Sequence, residues 1–461
     1  MPMNESLVSK RVALFITFLS SFLTPFMGSS VNIALPSIGA ELSMSAVRLS
    51  WITTSAVLAA AIFLVPFGKI ADIYGRKKIY TWGVTVYAVS SLAAALAPSA
   101  LFLIIARAFQ GIGASMIFGT GVAILTSVFR PGERGRALGI NMAATYLGLS
   151  SGPFIGGVLT QHFGWRAVFV ASFLIGIAIV PFIFWKLRTE WADARGERFD
   201  LKGSLLYMAG LLGIIYGFSL LPGWRGIVML IAGIALTVVF FRMEERIINP
   251  VLALSHFRRN TVFLFSNLAA FINYSATYAV TFLLSLYLQY IKGLDPQAAG
   301  LVMVTQPIIM TVFSPLAGRL SDRVEPRLVA SAGMAVTTAG LIPFIFLAHH
   351  TPLLVIVLIL AVIGTGFALF SSPNTNAIMG SVDSRQYGIA SASLGTMRLT
   401  GQAISMGIAL LVFAVFIGKV SITPGTYPLF LKSVHMAFII FAVLCSMGVF
   451  ASLARGKRRP D

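Results

Sequence analysis

Acidic residues and cysteines are scarce in this chain of 461 residues, which holds 15 Asp and Glu against 34 Lys and Arg, five His and one Cys. A single cysteine excludes an intramolecular disulfide and a cysteine-based metal cluster. Charged residues are only 11% of the chain and apolar residues are 57%, with a mean hydropathy of +0.89. This balance excludes an ordinary soluble globular domain and predicts an integral membrane protein.

Apolar runs of about 20 residues, the length that crosses a bilayer as a helix, recur along the whole chain. They predict fourteen spanning helices and an all-α membrane fold, with approximate cores at 12–36, 50–68, 78–97, 101–128, 136–160, 167–186, 201–221, 226–241, 261–290, 298–318, 328–347, 353–373, 387–417 and 434–453. The first run follows Lys10 and Arg11, as in a signal peptide. It is too long for one and lacks a clean cleavage site, so we expect a retained span.

Basic residues are concentrated in alternate connections between these runs. Arg76, Lys77 and Lys78 follow the second run and Arg130 and its neighbours follow the fourth, whereas the intervening connections carry few charges. Under the positive-inside rule this asymmetry predicts a protein of the cell membrane with both termini in the cytoplasm. The net charge of +19 therefore reflects membrane topology, and no nucleic-acid partner is expected.

The fifth run contains regularly spaced glycines, in the pattern G-x8-G-x3-G-P-x2-G-G. Its members are Gly139, Gly148, Gly152, Pro153, Gly156 and Gly157. Glycines at these intervals clear one helix face so that a neighbouring helix can approach closely, and the proline removes a backbone donor and bends the span. The pattern resembles the antiporter motif that marks exporters of the major facilitator superfamily.

A second motif runs from Gly68 to Lys78 and resembles the loop motif of the same superfamily, departing from it at Ile73, where a basic residue is usual. It is echoed at Gly318–Arg323, after the tenth run, as expected of two similar halves. Asp72 is expected to accept from a helix N-terminus in the opposite half and to latch the cytoplasmic ends together. The resemblance implies a gating set of Gly68, Asp72, Gly75, Arg76, Gly148, Gly152, Pro153, Gly156, Gly157, Gly318, Asp322 and Arg323.

Two further segments extend the resemblance over nearly the whole chain. Leu103-x3-Arg107-x2-Gln110-Gly-x-Gly resembles the second motif of the superfamily, and Met397-Arg-Leu-Thr-Gly-Gln resembles its fourteen-span drug:H+ antiporter branch. The implied architecture is a six-helix bundle at 1–190, a linker with an additional helix pair at 191–258, and a second six-helix bundle at 259–461.

Intramembrane arginines and amides supply the candidate binding residues. An arginine in the hydrocarbon region costs roughly 2.5–3.5 kcal/mol, so it should face the bundle interior. By analogy with the family, a mid-membrane cavity is expected to hold substrate through Arg107, Arg398, Phe26, Asn32, Gln110, Tyr146, Asn273, Tyr274, Gln306, Asn374, Asn376 and Gln402. The alternative for Arg107 is a structural role on backbone carbonyls, and for each amide it is interhelical hydrogen bonding.

The first span departs from the family signature L-D-x-x-x-V-N-x-A-L-P. The acidic position is occupied by Met27, or by Gly28 if the alignment slips by one residue, and all fifteen acidic residues fall outside the predicted span cores. Exporters of lipophilic cations in this family generally use an intramembrane carboxylate to exchange protons for substrate. The usual coupling residue is therefore missing, and the cavity is expected to be electropositive.

The resemblance implies a secondary active transporter that exports amphipathic small molecules by alternating access, driven by a proton gradient. One alternative is an exporter of an anionic metabolite or lipid held by the intramembrane arginines, and a second is a non-transporting receptor or scaffold on the same fold. An enzyme is not expected, since the predicted spans contain no nucleophile–base pair and no cluster of metal ligands. The expected partners are a small molecule, protons and the lipid bilayer. No cofactor or metal is expected, and the expected state is a monomer.

Overall fold

The computed structural model describes residues 3–187, 189–247, 250–251, 260–382, 387–418 and 420–456. Fifteen α-helices form fourteen rods in this part of the chain, since α10 and α11 continue one another across Val304. Their bounds are α1 Met3–Glu41, α2 Ala46–Tyr74, α3 Arg76–Ala95, α4 Ala100–Val128, α5 Pro131–Phe163, α6 Arg166–Lys186, α7 Leu201–Leu220, α8 Trp224–Glu244, α9 Thr261–Leu286, α10 Pro296–Met303, α11 Thr305–Arg323, α12 Pro326–Phe344, α13 Leu353–Met379, α14 Tyr387–Phe416 and α15 Tyr427–Leu453.

The helices α1–α6 form one bundle and α9–α15 form the other, which confirms the predicted fold class. The bundles meet where α2 packs on α14 and where α5 packs on α10. We call the face with the 74–76 and 129–130 connections the predicted inner face, and the face with the 42–45 and 292–295 connections the predicted outer face. The predicted boundary at 190/191 falls in the linker before α7, and the one at 258/259 lies outside the described residues.

Thirteen of the rods are long and apolar enough to cross a membrane, as judged over the described residues. The exception is α3, which corresponds to the predicted span at 78–97. Its first turn is Arg-Lys-Lys, and Thr81, Thr85, Ser90 and Ser91 lower its hydropathy further. It nevertheless packs against α4 and α6 inside the first bundle. Its position is therefore that of a spanning helix, although its composition is more polar than that of the other thirteen rods.

The additional helix pair covers the junction between the bundles. The helix α7 contacts α2, α14 and its own partner α8. The Tyr207 hydroxyl donates to the Ala61 carbonyl at 3.0 Å, which ties the pair to the first bundle. A Cβ on Gly407 of α14 would lie 2.7 Å from the Phe218 ring, so the second bundle also packs tightly on the pair.

The glycine-rich helix α5 closely approaches α1 of its own bundle and α10 of the other bundle. A Cβ on Gly148 would collide with backbone atoms of α1, and one on Gly156 would lie 2.6 Å from Ser30 Cβ of α1. On a neighbouring face, a Cβ on Gly157 would lie 2.6 Å from the Pro296 carbonyl oxygen of α10. The glycines therefore permit two helix contacts at once. Gly139 has nothing within 4 Å, so this first position of the motif makes no close approach.

Alanine substitution should separate the two ends of this motif. Gly148→Ala should lower the free energy of unfolding by roughly 1–3 kcal/mol, because a backbone obstacle cannot move aside. The matched control is Gly139→Ala, which should be neutral or stabilising by up to about 1 kcal/mol, because alanine favours the helix and the space is open. Thermal unfolding of purified protein, followed by tryptophan fluorescence, measures both. Equal midpoints for the two variants would contradict the close packing of α5.

Candidate functional site: a central cavity and an inner loop

A cavity of about 220 Å³ lies between the two bundles. The first bundle contributes α1–α5 to its lining and the second contributes α9–α11, α13 and α14. Eight of the twelve expected binding residues line it: Arg107, Arg398, Asn32, Gln110, Tyr146, Tyr274, Gln306 and Gln402. The structure thus brings together polar residues that are up to 370 positions apart, Asn32 and Gln402 among them.

Phe26 and Asn273 are among the four expected residues outside the cavity lining. Phe26 is 2% exposed, and its ring stacks on Phe22 with 5.5 Å between centroids. Asn273 is fully buried. Their chain neighbours Pro25 and Tyr274 do line the cavity, so both side chains miss the lining through their rotation about the helix axis.

Asn374 and Asn376 on α13 also point away from the cavity. Asn374 donates to the Ser266 carbonyl at 3.2 Å, and Asn376 donates to Ser321 Oγ at 2.9 Å. Both bonds join α13 to a neighbouring helix. Interhelical bonding, the alternative considered for the amides, describes these two residues.

Four aromatic residues line the cavity that sequence reasoning did not select: Tyr87, Phe118, Tyr278 and Phe367. Tyr278 follows Tyr274 by four residues, and helical residues at that spacing share a face. This spacing was the available signal for Tyr278. The other three lie on α3, α4 and α13, where no pattern in the sequence separates cavity-facing from lipid-facing aromatics.

Arg107 is both a structural and a cavity residue. It is 4% exposed, and its Nε donates to the Ile52 carbonyl at 3.0 Å. Its Nη1 donates to Gln110 Oε1, and Gln110 in turn donates to Ser91 Oγ at 2.6 Å. An arginine has five N–H donors, so these two bonds orient the guanidinium and leave donors at the cavity wall.

Arg398 reaches across the cavity from the second bundle to the first. Its guanidinium carbon lies over the Phe118 ring, 5.1 Å from the centroid. The phenol of Tyr274 lies close to the same guanidinium, and the Tyr274 ring packs edge-on against Phe367 at 5.6 Å. Among the described lining residues there is no Asp, Glu or His, so the cavity carries two cations and no anion.

The structure shows which residue of the first span, Met27 or Gly28, faces the cavity where the family usually has a carboxylate. Met27 is fully buried, and its sulfur accepts from Ser172 Oγ at 3.0 Å, so it faces α6. Gly28 lines the cavity, and a Cβ there would meet only the Tyr278 hydroxyl, at 3.9 Å. A side chain at position 28, and not at position 27, would therefore enter the cavity.

Toward the predicted outer face the bundles are joined by hydrogen bonds. Asn32 Nδ2 donates to Thr281 Oγ1 at 3.2 Å, and the Asn32 carbonyl accepts from Ser285 Oγ at 2.5 Å. Gln289 donates to the Ile33 carbonyl at 2.9 Å. These bonds join the two bundles at the end of the cavity that lies toward the predicted outer face.

Asp72 and Arg76 in the inner loop bond to each other. Arg76 Nε donates to Asp72 Oδ1 at 2.8 Å, and Arg76 Nη1 lies 2.7 Å from Ser127 Oγ and 2.8 Å from Asp193 Oδ2. The expectation that Asp72 accepts from a helix N-terminus of the opposite half is not met in this structure. The Asp72 carboxylate bonds to Arg76 instead, and residues of the linker bond to this loop.

The linker segment 190–197 covers this loop. Its Ala194 N–H donates to the Asp72 carbonyl at 2.9 Å, and its Trp191 carbonyl accepts from the Arg76 N–H at 2.8 Å. Glu190 accepts from the N–H groups of Lys77 at 2.8 Å and Lys78 at 3.2 Å, which caps the start of α3 with a negative charge. The main polar linker thus bonds directly to the loop that the sequence predicts to act in gating.

Gly75 allows the Glu190 side chain to approach the start of α3. Its φ is +121°, a conformation that favours glycine. A Cβ at this position would lie 2.5 Å from Glu190 Cδ. Gly68 has nothing within 4 Å, so its role in gating stays a prediction.

The echo of the loop in the second half is described only in part. A Cβ on Gly318 would lie 3.2 Å from Ser372 Oγ, and Arg323 is exposed at the end of α11. The side chain of Asp322 lies outside the described residues.

Two helical bundles that enclose a central cavity lined by residues of both are the architecture of a secondary transporter. The family profile of the Major Facilitator Superfamily matches residues 17–406 and 266–461, so the chain belongs to this superfamily. It is therefore a multi-pass membrane transporter for small molecules and not an enzyme.

Named relatives support this assignment. The riboflavin transporter RibZ of Clostridioides difficile (strain 630) is 31% identical over 392 residues, which are 84% of this chain and 85% of that protein. The multidrug resistance protein Stp of Mycobacterium tuberculosis (strain CDC 1551) is 31% identical over 409 residues, or 87% of this chain and 74% of that protein. A crystal structure of a bacterial homologue of the human lysosomal transporter Spinster, inward-facing and unoccupied, has a TM-score of 0.71 at 16% identity and covers 97% of each chain. That likeness shows the fold.

Removing the cap on α3 should loosen the linker. Glu190→Ala should cost about 1 kcal/mol locally and raise amide hydrogen exchange in segment 190–197 roughly fivefold. The matched control is Arg198→Ala, which removes an exposed side chain just beyond the segment and should leave the exchange rates of residues 190–197 unchanged. Hydrogen–deuterium exchange with mass spectrometry measures both. Equal exchange in the two variants would show that Glu190 does not hold the linker.

Proposed function

We propose that this transporter exports amphipathic small molecules in exchange for protons, by alternating access across the cell membrane. One observation carries the proposal: a cavity lined by aromatic and amide side chains lies between the bundles, which hydrogen bonds join toward the predicted outer face. Aromatic surfaces bind apolar bodies, and the amides and arginines orient polar groups. Such a lining suits molecules with both an apolar body and a polar group.

The bonds on the predicted outer side are of a kind that can break during transport. Each is a hydrogen bond with a net value of about 0.5–1.5 kcal/mol, and several come from Asn32 and its neighbour Ile33. Rocking of one bundle against the other would exchange these contacts for new ones at the predicted inner face. The glycine-rich α5, which touches α1 and α10 together, is the proposed pivot of this motion.

The remaining features of the proposal follow from topology and resemblance. The loop charges assign the predicted inner face, where the described chain begins and ends, to the cytoplasm, and the proposed functional unit is a monomer. Export is the proposed direction because the glycine motif of α5 resembles that of exporters, and a relative is a multidrug resistance protein.

The proposal is tested with purified protein in liposomes, by the flux of the cationic dye rhodamine 6G and of the anionic dye 5-carboxyfluorescein. At least one dye should cross faster than in protein-free liposomes, and an imposed proton gradient should accelerate it. Asp72→Asn or Arg107→Ala should reduce that flux, because the first removes the charge paired with Arg76 and the second removes the fixed cation of the cavity. Arg198→Ala serves as the control. Flux equal to that of empty liposomes for both dyes would favour a receptor or scaffold.

Alternating access also requires the predicted outer side to open. The Ser421 hydroxyl donates to the Met44 carbonyl at 3.2 Å, and the neighbouring Ala46 N–H donates to the Val420 carbonyl at 3.0 Å. A disulfide between Met44→Cys and Ser421→Cys should therefore stop transport, and dithiothreitol should restore it. The native Cys445 is fully buried and can remain in place.

The two single-cysteine variants, treated with the same oxidant, are the controls and should transport normally. Full flux in the oxidised double variant, with cross-linking verified by mass spectrometry, would show that these loops need not separate.

A further inference from the structure

We propose that the preferred substrates are aromatic organic anions, whose carboxylate or phosphate group is bound by Arg398 together with Arg107. This inference names the substrate class of the cavity and rests on the proposed transport function. It is carried by the lining of the cavity, where both bundles present a guanidinium and the described residues present no carboxylate.

Charge is the first argument. Arginine remains protonated in proteins, so both guanidinium groups are cationic in every state of the transport cycle. In a site bounded by protein and lipid, the attraction between a fixed charge and its counterion is much stronger than in water. Two like charges facing one cavity destabilise it until an anion enters, whereas a cationic substrate would meet repulsion from both. The cavity therefore selects by sign of charge.

Donor geometry is the second argument. The contact of Arg398 with Phe118 is between its charge and an aromatic ring, and such a contact does not consume the N–H donors. Arg398 also bonds to the Tyr274 phenol, and the guanidinium has five N–H donors in all. Arg107 uses its Nε and one Nη1 bond, and its remaining donors lie at the cavity wall. Guanidinium donors match a carboxylate or phosphate in a two-bond arrangement. One anion can thus be held from both bundles.

The rest of the lining defines the body of the substrate. Tyr87, Tyr278 and Phe367 join Phe118 and Tyr274 around the cavity, and aromatic walls favour a flat aromatic ligand. Gln306 is 7% exposed, and its Oε1 has no hydrogen-bond partner in the described structure. A buried acceptor left without a donor is costly, so we infer that the substrate also carries an N–H or O–H group that Gln306 binds.

The test compares 5-carboxyfluorescein and rhodamine 6G, which share a xanthene ring system and carry opposite charges. In liposomes with purified protein, and after subtraction of flux in protein-free liposomes, the wild type should carry 5-carboxyfluorescein in preference. Arg398→Gln should lower the ratio of anionic to cationic flux about tenfold or more, as expected for loss of a charge-assisted bond. Arg398→Lys, which keeps the charge, should retain a ratio above one.

Two further variants sharpen the comparison. Lys432 also lies over an aromatic ring, that of Phe416 at 5.3 Å, but it does not line the cavity. Lys432→Gln is therefore the matched control and should leave the ratio unchanged. Gly28→Asp would place a carboxylate in the cavity beside Tyr278 and should shift the preference toward rhodamine 6G.

The outcomes separate the inference from the proposed function. Preferential transport of rhodamine 6G by the wild type would overturn the anion inference and leave the exporter intact. An unchanged ratio in Arg398→Gln, in protein shown to be folded by its thermal unfolding midpoint, would also overturn it. Failure of the wild type to move either dye would instead overturn the proposed function, and the inference with it.

Discussion

The close approach of α5 to α1 on one side and to α10 on the other is the constraint on which the two-bundle structure depends. Helices in a membrane gain little from the hydrophobic effect, and their association relies on van der Waals contact between backbones. Gly148 and Gly156 allow that contact with α1, and Gly157 allows it with α10. The same helix therefore builds the first bundle and joins it to the second, which fixes where the cavity can lie.

The two ends of the molecule are held by different kinds of contact. Toward the predicted outer face, bonds such as that of Asn32 with Thr281 cross between the bundles. At the predicted inner face, the described bonds of Asp72 and Arg76 stay within the first bundle and its linker. A linker that joins both bundles in sequence and bonds to the loop of one is placed to sense their relative movement. The linker therefore contacts the loop motif directly, through Ala194 and Trp191.

The sequence predicted the features that depend on composition along the chain, and it missed those that depend on rotation about a helix axis. Apolar runs located the rods, although α3 is too polar to meet the criterion that the other rods meet. The two arginines predicted to lie within spans both line the cavity, as expected because a charge in hydrocarbon must face the interior. An uncharged aromatic side chain can face either the interior or the lipid. Phe26 was therefore expected in the lining but lies outside it, and Tyr278 lines the cavity although it was not expected there. The docking of Glu190 was not predictable, since a glutamate in a polar linker carries no signal of its partner.

One residue of the first span, Gly28 in place of the acid usual in the family, alters the electrostatics of the whole cavity. Gly28 faces the cavity beside Tyr278, and Tyr278 interacts electrostatically with Arg107. An acid there would neutralise Arg107 and offer a titratable partner to protons and cations. With glycine instead, Arg107 and Arg398 face the cavity without a protein counterion among the described residues, one from each bundle. A bound anion would then reduce the repulsion between the bundles, so the substrate itself would stabilise the conformation in which both arginines reach it. For such a substrate, charge would act in the conformational cycle as well as in recognition.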